Sequence, residues 1–170
     1  SDKATTSIQR IIVPTDQGYD FTAISNGKLE STTVVGNEKT FVWKNSYPIA
    51  PYLISMAVGN YVFLGGTYTS QDNSKTMSVG HWVYPHTASA EATGYQATIQ
   101  IMNFFAEKFG EYPFIDEKYE TAAWRLSSGI EHQTCTTMPS GNIADGLGRR
   151  NIHELAHQWF GDKITCTNWD

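Results

Sequence analysis

Two of the chain's five histidines, His153 and His157, stand four residues apart, and Glu154 directly follows the first. On a helix, positions i and i+4 share a face one turn apart. Two imidazoles held in that way can bind one metal ion, and Zn²⁺ accepts nitrogen ligands at about 2.0–2.1 Å. Glu154 projects roughly 100° around the helix from His153, by the 3.6-residue period. It is too far round to be a third ligand beside the histidines, but it is well placed to hold a water on the ion. A carboxylate beside a Lewis acid can take a proton from that water, which opens a hydrolysis.

The element that must position these groups is a helix. The sequence predicts one starting near 146–150, at Arg149 and Arg150, and ending at Gly161. Ile152, Leu155, Ala156 and Trp159 fall on one apolar arc, His153 and His157 on a neighbouring arc, and Glu154 beyond them. The plainer alternative is an amphipathic helix whose histidines are surface groups, because a bare HExxH run also arises by chance.

Upstream, residues 1–66 read as β structure. Strands are expected at Ser7 to Val13, Phe21 to Ser25, Leu29 to Val35 and Thr40 to Trp43. Asn26-Gly27 and Gly36-Asn37 signal turns, the first as a hairpin. Tyr52 to Val58 is an apolar run read as a buried strand, continued by Tyr61 to Leu64 and closed by Gly65-Gly66. Met77 to Tyr84 alternates as a strand. A helix of about 20 residues is predicted from Ala88 to Phe109, closed by Gly110. Strands at Tyr119 to Leu126 and Gln133 to Met138 follow, then a turn at Pro139 to Asn142. The change of period near residue 66 places a domain boundary there, giving units 1–66 and 67–170.

The bulk properties exclude some classes of function. The 170 residues are 40% hydrophobic and 17% charged, enough for one domain or parts of two. Net charge is −5 and the twelve Lys and Arg are scattered, which argues against nucleic acid or an anionic membrane surface as partner. No run approaches the ~18 apolar residues of a membrane span. The polar start SDKATTS reads as the interior of a protein rather than a signal peptide. Cys135 and Cys166 match no metal motif; they read as two unpaired buried thiols, with a disulfide left open.

HELAHQWFGD, from His153 to Asp162, resembles the zinc motif of the aminopeptidase N family of metallopeptidases, relatives of leukotriene A-four hydrolase. Ser128-Gly-Ile-Glu-His132 resembles that family's G-x-M-E-N exopeptidase motif, at about the family's spacing. Phe109 to Phe114, the strand to Leu126, and Pro48 to Gly59 (similar to the last strand of the family's N-terminal β domain) extend the likeness over nearly the whole chain. The resemblance implies an α+β fold: the end of an all-β N-terminal domain in 1–66, then the first part of a thermolysin-like catalytic domain in 67–170.

The resemblance also implies roles. His153 and His157 become zinc ligands, and Glu154 the general base. Glu131 binds the free α-amino group of a peptide, which fixes the scissile bond one residue in. Gly129 and Ile130 flank the substrate as an edge strand. The expected cofactor is Zn²⁺ and the expected substrates are peptides with a free amino terminus. The family's third ligand is a glutamate about 18 residues past His157, beyond Asp170; Asp162 and Asp170 are weaker substitutes, and Asp162 is expected to point away. The chain is thus expected to be part of a longer enzyme, to work with its remaining domains, and to have little activity or zinc affinity alone. Ser128, Ile130 and His132 depart from the motif; His132 is read as a packed ring, and His81 and His86 as structural. The competing readings are an inert interaction module on the same scaffold and a zinc endopeptidase in which Glu131 is dispensable. An epoxide hydrolase side activity, residue preference and compartment stay open.

Overall fold

The structure, a computed structural model, describes residues 2–92, 94–125, 127–140 and 148–166. Among the described residues nine strands form three sheets. β1 (Ser7–Pro14), β4 (Glu38–Asn45) and β3 (Lys28–Val35) make an antiparallel sheet in that order, and the β3–β4 hairpin turns at Gly36-Asn37 as expected. β2 (Thr22–Ser25) pairs with β5 (Met56–Gly59). The third sheet has the order β6 (Val62–Thr69), β7 (Thr76–Val83), β8 (Lys118–Trp124), β9 (Cys135–Pro139). Its first pair is antiparallel and the other two are parallel. The exchange from the small sheets to the larger one falls between Gly59 and Val62.

β8 is buried along almost its whole length because both faces of the large sheet are covered there. On one face, Tyr68, Met77, Val79 and Tyr119 pack with helix α2 (Gly94–Phe109), with Leu155 of the motif helix α3 (Arg149–His157) and with Trp159 just beyond its end. On the other, Ala122 and Cys135 meet Ile11, Val13, Ile24, Phe41 and Trp43 from the small sheets. The odd spacing from Tyr119 to Ala122 is what sends the two side chains to opposite faces of one strand.

Parallel neighbours need a crossover, usually a helix of a dozen or more residues. β7 and β8 are joined in this way through α1 (Ala88–Glu91) and α2. β8 and β9 are joined only by residues 125–134, and this short connection carries Ser128 to His132. The motif loop is therefore pinned between the inner strand β8 and the edge strand β9.

Several expectations need correction. Asn26-Gly27 does not turn a hairpin, since β2 pairs with β5 and β3 with β4. Asn26 is instead a buried tie: its Nδ2 donates to the Leu53 carbonyl at 2.9 Å and to the Gln133 carbonyl, and its Oδ1 accepts from Ser55 N at 2.7 Å. Tyr52 to Val58 is not one strand. A 3₁₀ turn at Pro51–Leu53, seeded by Pro51, precedes β5. Gly65-Gly66 lies inside β6, where the Tyr95 ring passes so close to Gly66 that a side chain there would collide with it. The expected long helix is divided into α1 and α2, with Thr93 between them outside the described residues. On α2 the buried stripe is Gly94, Thr98, Ile101, Met102, Phe105 and Ala106, while Phe104 and Phe109 are exposed. Cys135 is buried but Cys166 is exposed, and the two are not joined in a disulfide. The turn expected at Pro139 to Asn142 and the helix start expected from 146 run into residues outside the described set, as does Asp170.

Candidate active site

α3 begins at Arg149, as the paired arginines suggested, and ends at His157 rather than Gly161. The chain then turns so that the His157 carbonyl accepts from Asp162 N at 2.9 Å. Gly161 sits at φ +143°, a conformation open essentially to glycine alone, and a Cβ there would stand 3.0 Å from His157 Nδ1. That Nδ1 lies 3.0 Å from the Phe160 carbonyl, so the turn orients the His157 ring and points Nε2 outward.

His153 Nε2 and His157 Nε2 are 3.1 Å apart, with the rings at right angles. Together with the Glu154 carboxylate, their potential ligand atoms lie within 4.8 Å of one another. Two ligands on one ion at about 2 Å each stand roughly 3 Å apart. The spacing fits a shared ion, and two nitrogens with a nearby oxygen are a donor set that suits zinc.

Glu154 is only 5% exposed, unlike its two neighbours on the site. Burial is the main force pushing its carboxyl above the ordinary range; His153 pulls it down and Glu131 pushes it further up. A Cβ built on Gly129 would overlap the Glu154 carboxylate. The glycine of the loop motif thus makes room for the glutamate of the helix motif. Ile130 forms an antiparallel bridge to Thr137 of β9, its N–H donating at 3.0 Å and its carbonyl accepting at 2.9 Å. That bridge lays residues 129–131 along β9 beside α3. Because Thr137 engages both polar groups of Ile130, the outward backbone edge is left to its neighbours.

Glu131 and His157 line the same cavity, of about 420 Å³, with Tyr52, Phe160, Ile164 and Cys166. The two sequence motifs therefore meet at one depression. A cavity of about 510 Å³ between Lys28, Lys44 and Glu117 lies away from both histidines. Asp162 is fully buried, and neither carboxylate oxygen finds a hydrogen-bond donor among the described residues. Burial, then the charge of Glu131, raises its pKa to about 9, so it is neutral at pH 7. It does not belong to the ligating group among the described residues. His132 is a packed ring, its Nδ1 3.0 Å from Thr137 Oγ1. His81 is fully buried and His86 stacks on Tyr84.

The sequence reading missed the polar side of α3. Ile152, placed on the apolar arc, is 37% exposed, while Asn151, Glu154 and Gln158 are buried. Asn151 Nδ2 donates to Thr98 Oγ1 at 2.9 Å, and Thr98 in turn reaches His81 Nε2 at 3.2 Å. His81 Nδ1 completes the row against Thr121 Oγ1 at 2.7 Å. The signal was present: three polar residues at i, i+3 and i+7 define a helix face as clearly as apolar ones do.

No family model matches the chain. Among curated proteins, it is 28% identical over 161 residues to aminopeptidase 2 of Candida albicans, covering 86% of this chain and 16% of the relative. It is 29% identical over 136 residues to aminopeptidase B of Mus musculus, covering 76% and 19%. The chain thus spans less than a fifth of either relative. Among solved structures, an M1 zinc metallopeptidase from Deinococcus radiodurans superposes with a TM-score of 0.79 at 26% identity, over 99% of this chain and 37% of that one. A mutant of a two-domain M1 zinc metallopeptidase bound to L-tryptophan gives 0.81 at 26% identity, over 99% of this chain and 37% of that one. Sequence likeness to aminopeptidases and a fold shared with an M1 zinc metallopeptidase point the same way, to a likeness with the zinc aminopeptidases of that family.

Proposed function

We propose that this chain carries the core of a zinc-dependent aminopeptidase centre. The observation that supports it most is the convergence of the two motifs: Gly129 is shaped around Glu154, and Glu131 shares a cavity with His157. His153 and His157 would hold a zinc ion, which when bound would supply Lewis-acid activation of water. Glu154 accepts a proton at its carboxylate and delivers it to the leaving amine. Its burial supports that role, since a carboxyl with a raised pKa is a better base at neutral pH.

Glu131 anchors the ammonium of a peptide's first residue. A carboxylate within the cavity pairs with that cation and so counts one residue from the amino terminus to the bond that breaks. The backbone at Gly129 lines the extended substrate, and the Ile130 bridge to β9 holds that edge in place. The substrates are peptides with a free amino terminus, and among the described residues no helix is long and apolar enough to cross a membrane. A β domain precedes the catalytic domain; β6 belongs whole to the larger sheet, so the change of sheet between Gly59 and Val62 supports a division a few residues before the boundary expected at 66.

The test uses the complete gene product. His153→Ala and His157→Ala should each lose zinc and peptidase activity together. Glu154→Gln should keep zinc and lose turnover by a factor of about 10² or more. Zinc retained at full occupancy in the double histidine variant would refute the assignment.

A further inference from the structure

The segment that bears Glu131 ends in a strained residue. Thr134 sits at φ +60°, an outlier for a β-branched side chain, one residue before β9. Such a conformation persists only where its surroundings over-determine it, and it clusters at functional sites. Here it is held from two sides. From the small sheets, Gly27 N donates to Thr134 Oγ1 at 2.8 Å, and Asn26 Nδ2 donates to the Gln133 carbonyl. From α3, Gln158 Oε1 accepts from Thr134 N at 2.9 Å.

Gln158 does more than cap Thr134. Its Nε2 donates to the Glu131 carbonyl at 3.2 Å, and its Oε1 also accepts from Tyr112 Oη at 3.2 Å. The side chain is fully buried and directly follows His157 in sequence. One amide thus spans the loop from residue 131 to residue 134 and ties it to the last turn of the metal helix. A buried amide whose donors and acceptors are satisfied by a single loop conformation specifies that conformation, because any other leaves polar groups unpaired.

We propose that Gln158 is a positioning residue that fixes the distance between the metal-binding histidines and the amine anchor Glu131, and so sets where along a peptide the cut falls. It touches neither substrate nor metal; it acts through the backbone of residue 131. The inference rests on the aminopeptidase reading given above. Asn26 and Gly27 form the opposite jaw, which explains why an Asn-Gly pair stands where no hairpin turns.

The experiment compares Gln158→Met and Gln158→Glu with wild type in the complete gene product. Methionine keeps the length and removes every polar atom. Glutamate keeps the acceptor for Thr134 N–H but has no N–H for the Glu131 carbonyl. In both variants zinc content should match wild type. KM for an aminoacyl anilide with a free amino group should rise about tenfold or more in Gln158→Met and less in Gln158→Glu, with kcat within about threefold. On a Glu131→Ala background, Gln158→Met should cause no further rise in KM. An equal rise on that background, an unchanged KM, or a loss confined to kcat and zinc content would overturn the proposal.

Amide hydrogen exchange at Thr134 separates this inference from the function it rests on. If wild type cleaves blocked and free substrates alike, the aminopeptidase reading fails. Faster exchange at Thr134 in Gln158→Met would still uphold the clamp, and unchanged exchange would overturn it. Loss of the fold in both variants also counts against it, because a loop clamp alone does not hold the core.

Discussion

The Glu154 carboxylate occupies the space in which a side chain on residue 129 would stand. One residue belongs to a helix and the other to a strand connection, yet a side chain at 129 would displace the carboxylate at 154. Gly129→Ala should therefore push Glu154 off its position. Overpacking of this kind costs about 1–3 kcal/mol. Thermal unfolding should show that loss, and turnover should drop about tenfold or more while zinc content holds. A Gly129→Ala variant with wild-type turnover would mean that the loop yields freely.

Gly161 backs the ring of His157, a proposed zinc ligand. Alanine there meets His157 Nδ1 and a backbone angle that L-residues avoid. Groups that orient a ligating histidine are typically worth about 10–100-fold in metal affinity. Competition with a chelator should find zinc bound about tenfold or more weakly in Gly161→Ala, with the far-UV spectrum unchanged.

His81 gives a stability signature remote from the site. Burial depresses its pKa from 6.5 to about 4, against smaller raising effects from the Gly94 backbone and Glu120. In the folded chain it stays neutral until about pH 4, whereas in the unfolded chain it takes a proton near 6.5. The unfolded state binds more protons in that window, so stability falls as pH drops from 6.5 to 4 and levels off below. A difference of this size is worth about 3 kcal/mol. Urea unfolding at pH 7 and pH 4.5 should show that loss in wild type and a smaller one in His81→Gln.

Much of this site was legible in the sequence because its chemistry lies in short, fixed spacings. His153, Glu154 and His157 fall within one helical turn, and Glu131 lies in a loop tied to an adjacent strand. What was not legible depends on contacts between distant segments. Asn26-Gly27 has the composition of a hairpin turn, but its partners are Leu53, Ser55 and Thr134. Gly65-Gly66 resembles punctuation and is instead the floor beneath an aromatic ring. The α3 arc was read by hydrophobicity alone, so Ile152 was placed inward and Gln158 was overlooked. Burial followed hydrogen bonds there, since a polar group with a partner can be buried at little cost.

In the proposed function, Glu131 selects peptides by their free amino terminus at a zinc site built on His153 and His157. The most direct measurement is the ratio of kcat/KM for an aminoacyl anilide to that for its N-acetylated form, in wild type and in Glu131→Gln at equal zinc content. Wild type should show a large ratio that collapses in the variant, through loss of activity on the free-amine substrate by a factor of about 10² or more, on the order of 3 kcal/mol. An unchanged ratio in Glu131→Gln would contradict that role.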